Sequence, residues 1–276
     1  MPPDNEGPDL GRFSDVDSTG EASPFVAYLD RAASVLKEFR QVGDRLLGLK
    51  PGELLLDVGC GTGDATAQLA TGVIPGGRTV GIDLSEAMIT EARKRAAGSD
   101  LPLEFRIADA HDLPFPDNHF DACSAERVFV HLADPLGVLA EMVRVVKPGG
   151  RVVVREADLD MIAIDASDRA TTRAIVQFFA DSMRNGWIGR QLFRLFEAAN
   201  LVEVAFHPHP YPVTSFGVLN TMLPFEQTAR SAADSGVITA EAASAWIADQ
   251  HQRDAAGRSF ACLLGFIASG RKSPNR

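Results

Sequence analysis

From residue 51 onward, short apolar runs alternate with helical stretches. The runs ELLLDVG, RTVGIDL, LEFRIAD, FDACSAE and RVVVREA are apolar almost throughout, which is typical of strands buried on both faces. Between them, DATAQLA, SEAMITEARKRA and PLGVLAEMVRVV read as helices. Strands and helices that alternate in this way are joined by right-handed crossovers. The pattern therefore predicts an α/β fold with a mostly parallel sheet and helices on both faces.

The remaining parts of the chain follow other patterns. Residues 1–22 are rich in proline, glycine and acids, which predicts a flexible segment. Helical spacing over 23–50 predicts an N-terminal helical cap, or lid, before a core at 51–206. After the fifth run, two helices and a sixth strand, LVEVAFH, are followed by a predicted helical substrate-cap insertion at 207–258. The segment 259–276 then supplies the seventh and last strand with a short tail.

Composition narrows the class of protein. The net charge is −10, from 27 Lys and Arg against 37 Asp and Glu, which argues against a nucleic-acid partner. The three cysteines lack the spacing of metal ligands, so we expect no metal and reduced thiols in a cytoplasmic protein. The N-terminus does not resemble a secretory signal, and no run approaches the roughly 20 apolar residues of a membrane span.

A glycine-rich loop, DVGCGTG, follows the first predicted strand. Ligands of open α/β sheets bind at this end of a strand, and glycines let them approach the backbone closely. A dinucleotide fingerprint requires glycine or alanine where this chain has Asp64. Because an acid at a helix N-terminus repels pyrophosphate, the loop favours a nucleoside without phosphates over NAD.

Two further acids follow neighbouring strands. Asp83 comes 20 residues after Gly63, a position from which a carboxylate can bind ribose hydroxyls. Asp109 follows the third strand and suits an adenine amino group. The alternative functions are helix capping for Asp83 and turn capping for Asp109.

These segments resemble the class I S-adenosylmethionine-dependent methyltransferases. The similarity is greatest to the methyltransferase type 11 group and its ubiquinone/menaquinone-type relatives, which have a Rossmann-like fold. LLDVGCGTG, VGIDLSEAMITEARKRA, ADAHDLPFPDNHFDA and EMVRVVKPGGRVVV match successive motifs of that family in order, over residues 45–157. One glycine motif alone would be weak evidence, whereas four in register are specific.

The resemblance implies S-adenosyl-L-methionine as cofactor and S-adenosyl-L-homocysteine as product. It assigns the glycine loop and Asp57 to the methionine and ribose portions, Asp83 to the ribose, and Glu126 and Arg127 to the methionine end. Tyr28 is expected to close over the cofactor, with helix packing as the alternative. The expected cofactor-binding residues are Tyr28, Asp57, Gly59, Cys60, Gly61, Asp83, Leu84, Met88, Asp109, Ala110, Glu126 and Arg127. For Met88, core packing is the alternative.

The sequence indicates the catalytic group less clearly than it indicates the cofactor-binding residues. His131 follows the fourth strand and is the candidate base, although a hydrogen bond that fixes the loop explains it equally well. Glu156 and Asp158 are further candidates. His207 and His209 are separated by a proline, and no nearby carboxylate or cysteine completes a metal site.

Aromatic residues concentrate in the C-terminal half, which suits an apolar acceptor pocket. The sequence therefore predicts methyl transfer to a small, largely apolar metabolite, typical of secondary metabolism. Oxygen, nitrogen and carbon acceptors remain open, including carbon methylation coupled to cyclisation. The alternative is a cofactor-binding scaffold or cyclase that transfers no methyl group. A homo-oligomer is also left open.

Overall fold

The computed structural model describes residues 9–275 of the chain. A seven-stranded sheet with strand order β3-β2-β1-β4-β5-β7-β6 forms its centre. The strands are β1 (Leu54–Val58), β2 (Arg78–Asp83), β3 (Leu103–Ile107), β4 (Phe120–Glu126), β5 (Val146–Ile164), β6 (Val202–Val213) and β7 (Ala261–Arg271). Strands β1 to β5 pair in parallel, whereas β7 runs antiparallel to β5 and β6. The predicted seven-stranded, mostly parallel sheet is confirmed.

Helices cover both faces of this sheet. They are α1 (Ser23–Val35), α2 (Lys37–Leu47), α3 (Asp64–Ala70), α4 (Glu86–Ala96), α5 (Pro135–Val145), α6 (Arg169–Ser182), α7 (Leu192–Ala198), α8 (Phe216–Met222), α9 (Phe225–Asp234) and α10 (Ala240–Ala255). Side-chain caps begin several of them. The Ser85 hydroxyl accepts a hydrogen bond from the Met88 N–H, and the Asp168 carboxylate accepts from the first turn of α6.

The sixth strand is longer than the sequence indicated. LVEVAFH was expected to end near residue 207, but β6 continues to Val213 through Pro208, Pro210 and Pro212. Proline has no backbone N–H to donate to a neighbouring strand. Because β6 is an edge strand and its prolines occupy every second position, the missing donors lie only on its outer side, where no strand pairs with it. The helices before the last strand, α8 to α10, therefore begin at Phe216 rather than at 207.

The N-terminal region packs against the rest of the protein from residue 9 onward. Residues 1–8 of the predicted flexible segment lie outside the described residues. Leu10–Asp15 and Asp17–Thr19 form two short 3-10 helices. The Asp17 carboxylate accepts hydrogen bonds from the Ser85 hydroxyl at 2.6 Å and from the Glu86 N–H at 2.7 Å. This contact joins the N-terminal segment to the start of α4, and its mobility stays a prediction.

Helix α2 packs closely on β5 because Gly43 has no side chain. A Cβ atom at Gly43 would lie 1.9 Å from Nε of Arg155, which is 1% exposed. The Arg155 guanidinium donates to Asp44 Oδ1 at 2.6 Å and to Ser124 Oγ at 3.1 Å. One turn of α2 thus provides both the space and the counter-charge that this buried arginine requires.

We predict that Gly43→Ala lowers the free energy of unfolding by about 2 kcal/mol, because the added methyl group collides with Arg155. An alanine in a helix otherwise gains up to about 1 kcal/mol over glycine, so the sign of the effect is informative. Urea denaturation measures it.

Gly217→Ala is the matched control. Gly217 is also helical, but its nearest neighbours would lie 3.6 Å or more from an added Cβ, so we expect no loss of stability. Equal or higher stability of Gly43→Ala would contradict the packing explanation.

Candidate functional site

A cavity of about 340 Å³ lies at the carboxyl edge of the sheet, beneath α1 and α2. Asp158, a further candidate base, is not among the lining residues and pairs with Arg190. The walls do include every predicted cofactor-binding residue and the candidate base His131. They are Tyr28, Asp57, Gly59, Cys60, Gly61, Asp83, Leu84, Met88, Asp109, Ala110, Glu126, Arg127 and His131. Residues up to 103 positions apart in the chain therefore meet at one site, since parallel strands end at the same edge of the sheet.

The glycine loop has a conformation that its neighbours require. Gly59, Gly61 and Gly63 have φ values of 68°, 52° and 81°, in the left-handed region. A Cβ at Gly59 would lie 2.3 Å from a methyl group of Val128, and one at Gly63 would lie 2.7 Å from the Phe105 ring. The loop is thus held as nearly bare backbone along the cavity wall.

Two acids hold this loop and the helix that follows it. The Asp57 carboxylate, 3% exposed, accepts a hydrogen bond from the Thr66 hydroxyl at 2.6 Å, and burial raises the pKa of Asp57 to about 6. Asp83 accepts from the Gly61 N–H at 2.9 Å and from the Ser85 N–H at 3.0 Å. Burial also raises the pKa of Asp83. Asp83 therefore joins the loop to the turn before α4 and also faces the cavity.

The residues after β2 and β3 form another part of the wall. Leu84 is 59% exposed, whereas Met88 is buried and packs with Val16 and Phe25. Asp109 accepts a hydrogen bond from the His111 N–H at 2.9 Å, which stabilises a turn. The turn-capping role considered from sequence is therefore present, and the Asp109 residue still lines the cavity.

A buried ion-pair network lies at the end of β4. Arg40 Nε donates to Glu126 at 2.9 Å, and Arg40 Nη1 donates to Asp64 at 2.6 Å. The Arg40 and Glu126 side chains are 8% and 6% exposed. Because Arg40 pairs with Asp64, the repulsion of phosphate that the sequence suggested at Asp64 is partly offset. The carboxylates of Asp57 and Asp83 therefore contribute more than Asp64 to the expected repulsion of phosphate.

Arg127 has positive φ and lines the cavity beside the ring of Tyr28. Its φ is 56°, and Nη1 lies 3.4 Å from the Tyr28 hydroxyl, with the guanidinium carbon 5.6 Å from the ring centroid. Nε of Arg127 is buried without a hydrogen-bond partner among the described residues. Burial, reinforced by the Arg127 charge, lowers the pKa of His131 to about 4, so this imidazole is neutral at pH 7.

Glu156 supplies an acid to the other end of the cavity. Its side chain is almost fully buried, and Oε1 accepts hydrogen bonds from the N–H groups of Phe129 at 2.5 Å and Val130 at 3.4 Å. Burial raises the pKa of Glu156 to about 8. Apolar residues line the cavity around this end: Leu159, Phe179, Met183, Met222, Leu223 and Leu263. The site thus joins a polar end to an apolar chamber.

Sequence reasoning missed several wall residues. Leu10, Phe13 and Val16 lie in the segment expected to be flexible, yet all three line the cavity. Their spacing of three is the period of a 3-10 helix and was the available signal. Arg40 was also missed, because nothing local to α2 indicates a partner 86 residues away.

The described part of the chain shows neither a metal-binding cluster nor a membrane-spanning helix. Across residues 9–275, no group of three or more His, Cys, Asp or Glu side chains is arranged to hold a metal ion. In the same span, no helix combines the length and the apolar character needed to cross a membrane.

Comparison with known proteins places the chain in a family. A family model described as a methyltransferase domain matches residues 56–154. A demethylmenaquinone methyltransferase of Symbiobacterium thermophilum is 34% identical over 181 residues, which cover 57% of this chain and 71% of that protein. An uncharacterised 37.1 kDa protein in transposon TN4556 of Streptomyces fradiae is 35% identical over 257 residues, covering 90% and 72%.

A solved structure agrees in fold. A putative methyltransferase from Bacillus halodurans superposes with a TM-score of 0.59 at 19% identity, covering 85% of this chain and 98% of that one. The family match, the relatives and the fold agree with the motifs in the glycine loop and after the following strands. The chain therefore belongs to the class I S-adenosylmethionine-dependent methyltransferases, in the methyltransferase type 11 and ubiquinone/menaquinone-type group.

Proposed function

We propose that the protein transfers a methyl group from S-adenosyl-L-methionine to a small, largely apolar metabolite and releases S-adenosyl-L-homocysteine. One observation carries the proposal: a single cavity joins the glycine loop and its acids to an apolar chamber. This arrangement provides a polar place for the cofactor and an apolar place for the acceptor, side by side.

The polar end fits the cofactor. Asp83 uses two of its roughly four acceptor positions for the N–H groups of Gly61 and Ser85, which leaves capacity for two ribose hydroxyls. The exposed Leu84 side chain offers an apolar surface for adenine, together with Met88. Asp109 and the Ala110 N–H are proposed for the edge of the adenine ring.

The methionine end of the proposed cofactor site contains acidic and basic side chains, which match the amino group and the carboxylate of a methionine moiety. Asp57 and Glu126 are the proposed partners of its amino group, with Gly59, Cys60 and Gly61 along its length. The buried Arg127 Nε–H lacks a partner among the described residues and is proposed to bind its carboxylate, beneath Tyr28. When bound, the cofactor's sulfonium supplies an activated methyl carbon, so the protein's main tasks are positioning and exclusion of water.

An acceptor that loses a proton needs a base. His131 remains the candidate from sequence, but its lowered pKa makes it a weak base. Glu156 is the stronger candidate, because two backbone N–H groups hold one carboxylate oxygen while the residue faces the cavity. We propose that Glu156 in its ionised form, the minor form at pH 7 because its pKa is raised to about 8, accepts the proton when the acceptor is protic. Glu156 is also proposed to position the turn carrying His131.

The proposal leaves the accepting atom open among oxygen, nitrogen and carbon. Secondary metabolism in the cytoplasm is the proposed setting. A cofactor-binding scaffold or cyclase without transfer activity is the less favoured alternative, because the family model and the Symbiobacterium thermophilum relative are both described as methyltransferases.

We predict that S-adenosylhomocysteine raises the melting temperature of the protein and that NAD does not, because a ligand that binds only the folded state stabilises it. Asp83→Ala should weaken S-adenosylhomocysteine binding by about 100-fold, since two hydrogen bonds to a carboxylate are lost. Thermal shift and calorimetric titration measure both effects.

Asp100→Ala is the control, because Asp100 is an exposed loop acid. The variants must first show wild-type circular dichroism. Undiminished binding by Asp83→Ala would contradict the ribose assignment, and stabilisation by NAD alone would contradict the proposed function.

We predict that Glu156→Gln flattens the pH dependence of stability. The folded-state pKa of Glu156 is raised from 4.5 to about 8, so its stabilising contribution is present below pH 4.5 and is lost as the pH rises to 8. Relative to the wild type, the variant should therefore gain about 4 kcal/mol in unfolding free energy between pH 5 and pH 9. Urea denaturation at several pH values measures this gain.

The exposed Glu197→Gln is the matched control and should parallel the wild type. In Glu156→Gln, the amide oxygen of the new side chain can still accept from Phe129 and Val130, so S-adenosylhomocysteine binding should persist. A wild type and a Glu156→Gln variant with the same pH profile would show that Glu156 titrates as an ordinary carboxylate.

A further inference from the structure

The hydroxyl of Tyr211 is buried in the cavity without a hydrogen-bond partner among the described residues. Tyr211 lies on the edge strand β6, is 8% exposed and lines the cavity. A buried hydroxyl without a partner costs about 1–3 kcal/mol, so its presence calls for an explanation.

The surrounding residues fix the position of the Tyr211 ring. The ring centroid lies 5.2 Å from that of Phe39 and 4.9 Å from that of His209. A Cβ at Gly265, on the neighbouring strand β7, would lie 2.8 Å from Cε2 of Tyr211. A glycine inside a strand weakens it, and here it makes room for this ring. The ring therefore has a defined place, and its hydroxyl cannot turn elsewhere for a partner.

The charges near Tyr211 place it between the two ends of the cavity. Burial, followed by the negative charge of Glu126, raises the pKa of Tyr211 well above its usual value, while Arg127, Arg155 and Arg40 oppose this effect. The hydroxyl thus stays protonated at neutral pH. Glu126 and Arg127 belong to the proposed methionine end, whereas Leu263, paired with Tyr211 across the strands, belongs to the apolar chamber.

Few polar groups remain for an acceptor in this chamber. Arg40 and Arg155 are already paired with Glu126, Asp64 and Asp44. A substrate anion would face the Glu126 carboxylate and would find neither Arg40 nor Arg155 free, and Arg127 is proposed for the carboxylate of the cofactor. An uncharged oxygen that accepts one hydrogen bond matches what Tyr211 offers.

We infer that Tyr211 is an acceptor-binding residue, whose hydroxyl donates a hydrogen bond to an uncharged oxygen of an otherwise apolar substrate. The inference rests on the proposed function, since it concerns the acceptor part of the same cavity. A site built around such a hydrogen bond discriminates strongly against an analogue that lacks the oxygen.

The test uses 2-naphthol, with naphthalene and 2-naphthoate as comparison probes, on protein saturated with S-adenosylhomocysteine. Tyr211→Phe should weaken 2-naphthol binding about tenfold and leave naphthalene binding unchanged, because one hydrogen bond is lost. 2-Naphthoate should bind more weakly than 2-naphthol to the wild type. Calorimetric titration measures all three affinities.

A spectroscopic measurement reports on the hydroxyl directly. The chain contains two tyrosines, so protein labelled with 3-fluorotyrosine gives two ¹⁹F resonances, and the spectrum of Tyr28→Phe assigns them. The Tyr211 resonance should move on addition of 2-naphthol and not on addition of naphthalene.

Thr79→Val is the matched control. The Thr79 hydroxyl is likewise buried without a partner in the described part of the chain, but Thr79 is not among the residues that line the cavity. Both substitutions should therefore raise the melting temperature of the free protein, and only Tyr211→Phe should change 2-naphthol affinity.

The outcomes separate this inference from the proposed function. If the wild-type protein does not bind S-adenosylhomocysteine, the proposed function itself is overturned. With that binding intact, an unchanged affinity of Tyr211→Phe for 2-naphthol would overturn the inference, as would tighter binding of 2-naphthoate. Failure of 2-naphthol to bind the wild type at all would also overturn it.

Discussion

Two buried arginines, Arg40 on α2 and Arg155 on β5, hold α2 in place over the sheet and the cavity. Arg40 reaches from α2 to Glu126 and Asp64, and Arg155 reaches from β5 to Asp44 on the same helix. A buried charge without a partner costs several kcal/mol, so each arginine is stable only when α2 is in place. These ion pairs consequently fasten α2 to β4 and β5, next to the cavity.

The same network divides the cavity into two environments. The guanidinium of Arg40 and the carboxylate of Glu126 satisfy each other where β4 ends, and beyond them the walls become apolar. Glu156 is the exception in that apolar part, and its raised pKa follows from burial. A site with this division can hold a polar ligand at one end while the apolar end excludes water and ions.

Glycines mark the places where this architecture needs space. Gly59 leaves room for Val128, Gly43 for Arg155 and Gly265 for Tyr211. The first belongs to a family motif and is visible in the sequence. The other two lie within a helix and a strand, where glycine ordinarily lowers stability. Their purpose becomes clear only from the side chain that faces each of them.

The sequence by itself determined the sheet, its mostly parallel order and the positions of Asp57, Asp83 and Asp109 at strand ends. These follow from local patterns, because buried strands are apolar and parallel strands end at one edge. The tertiary structure alone decided that Arg40 pairs with Glu126, that the segment around Phe13 lines the cavity, and that the Tyr211 hydroxyl lacks a partner among the described residues. Such contacts join distant residues and depend on burial. The spacing of Leu10, Phe13 and Val16 indicates a 3-10 helix, but nothing along the chain indicates what that helix contacts.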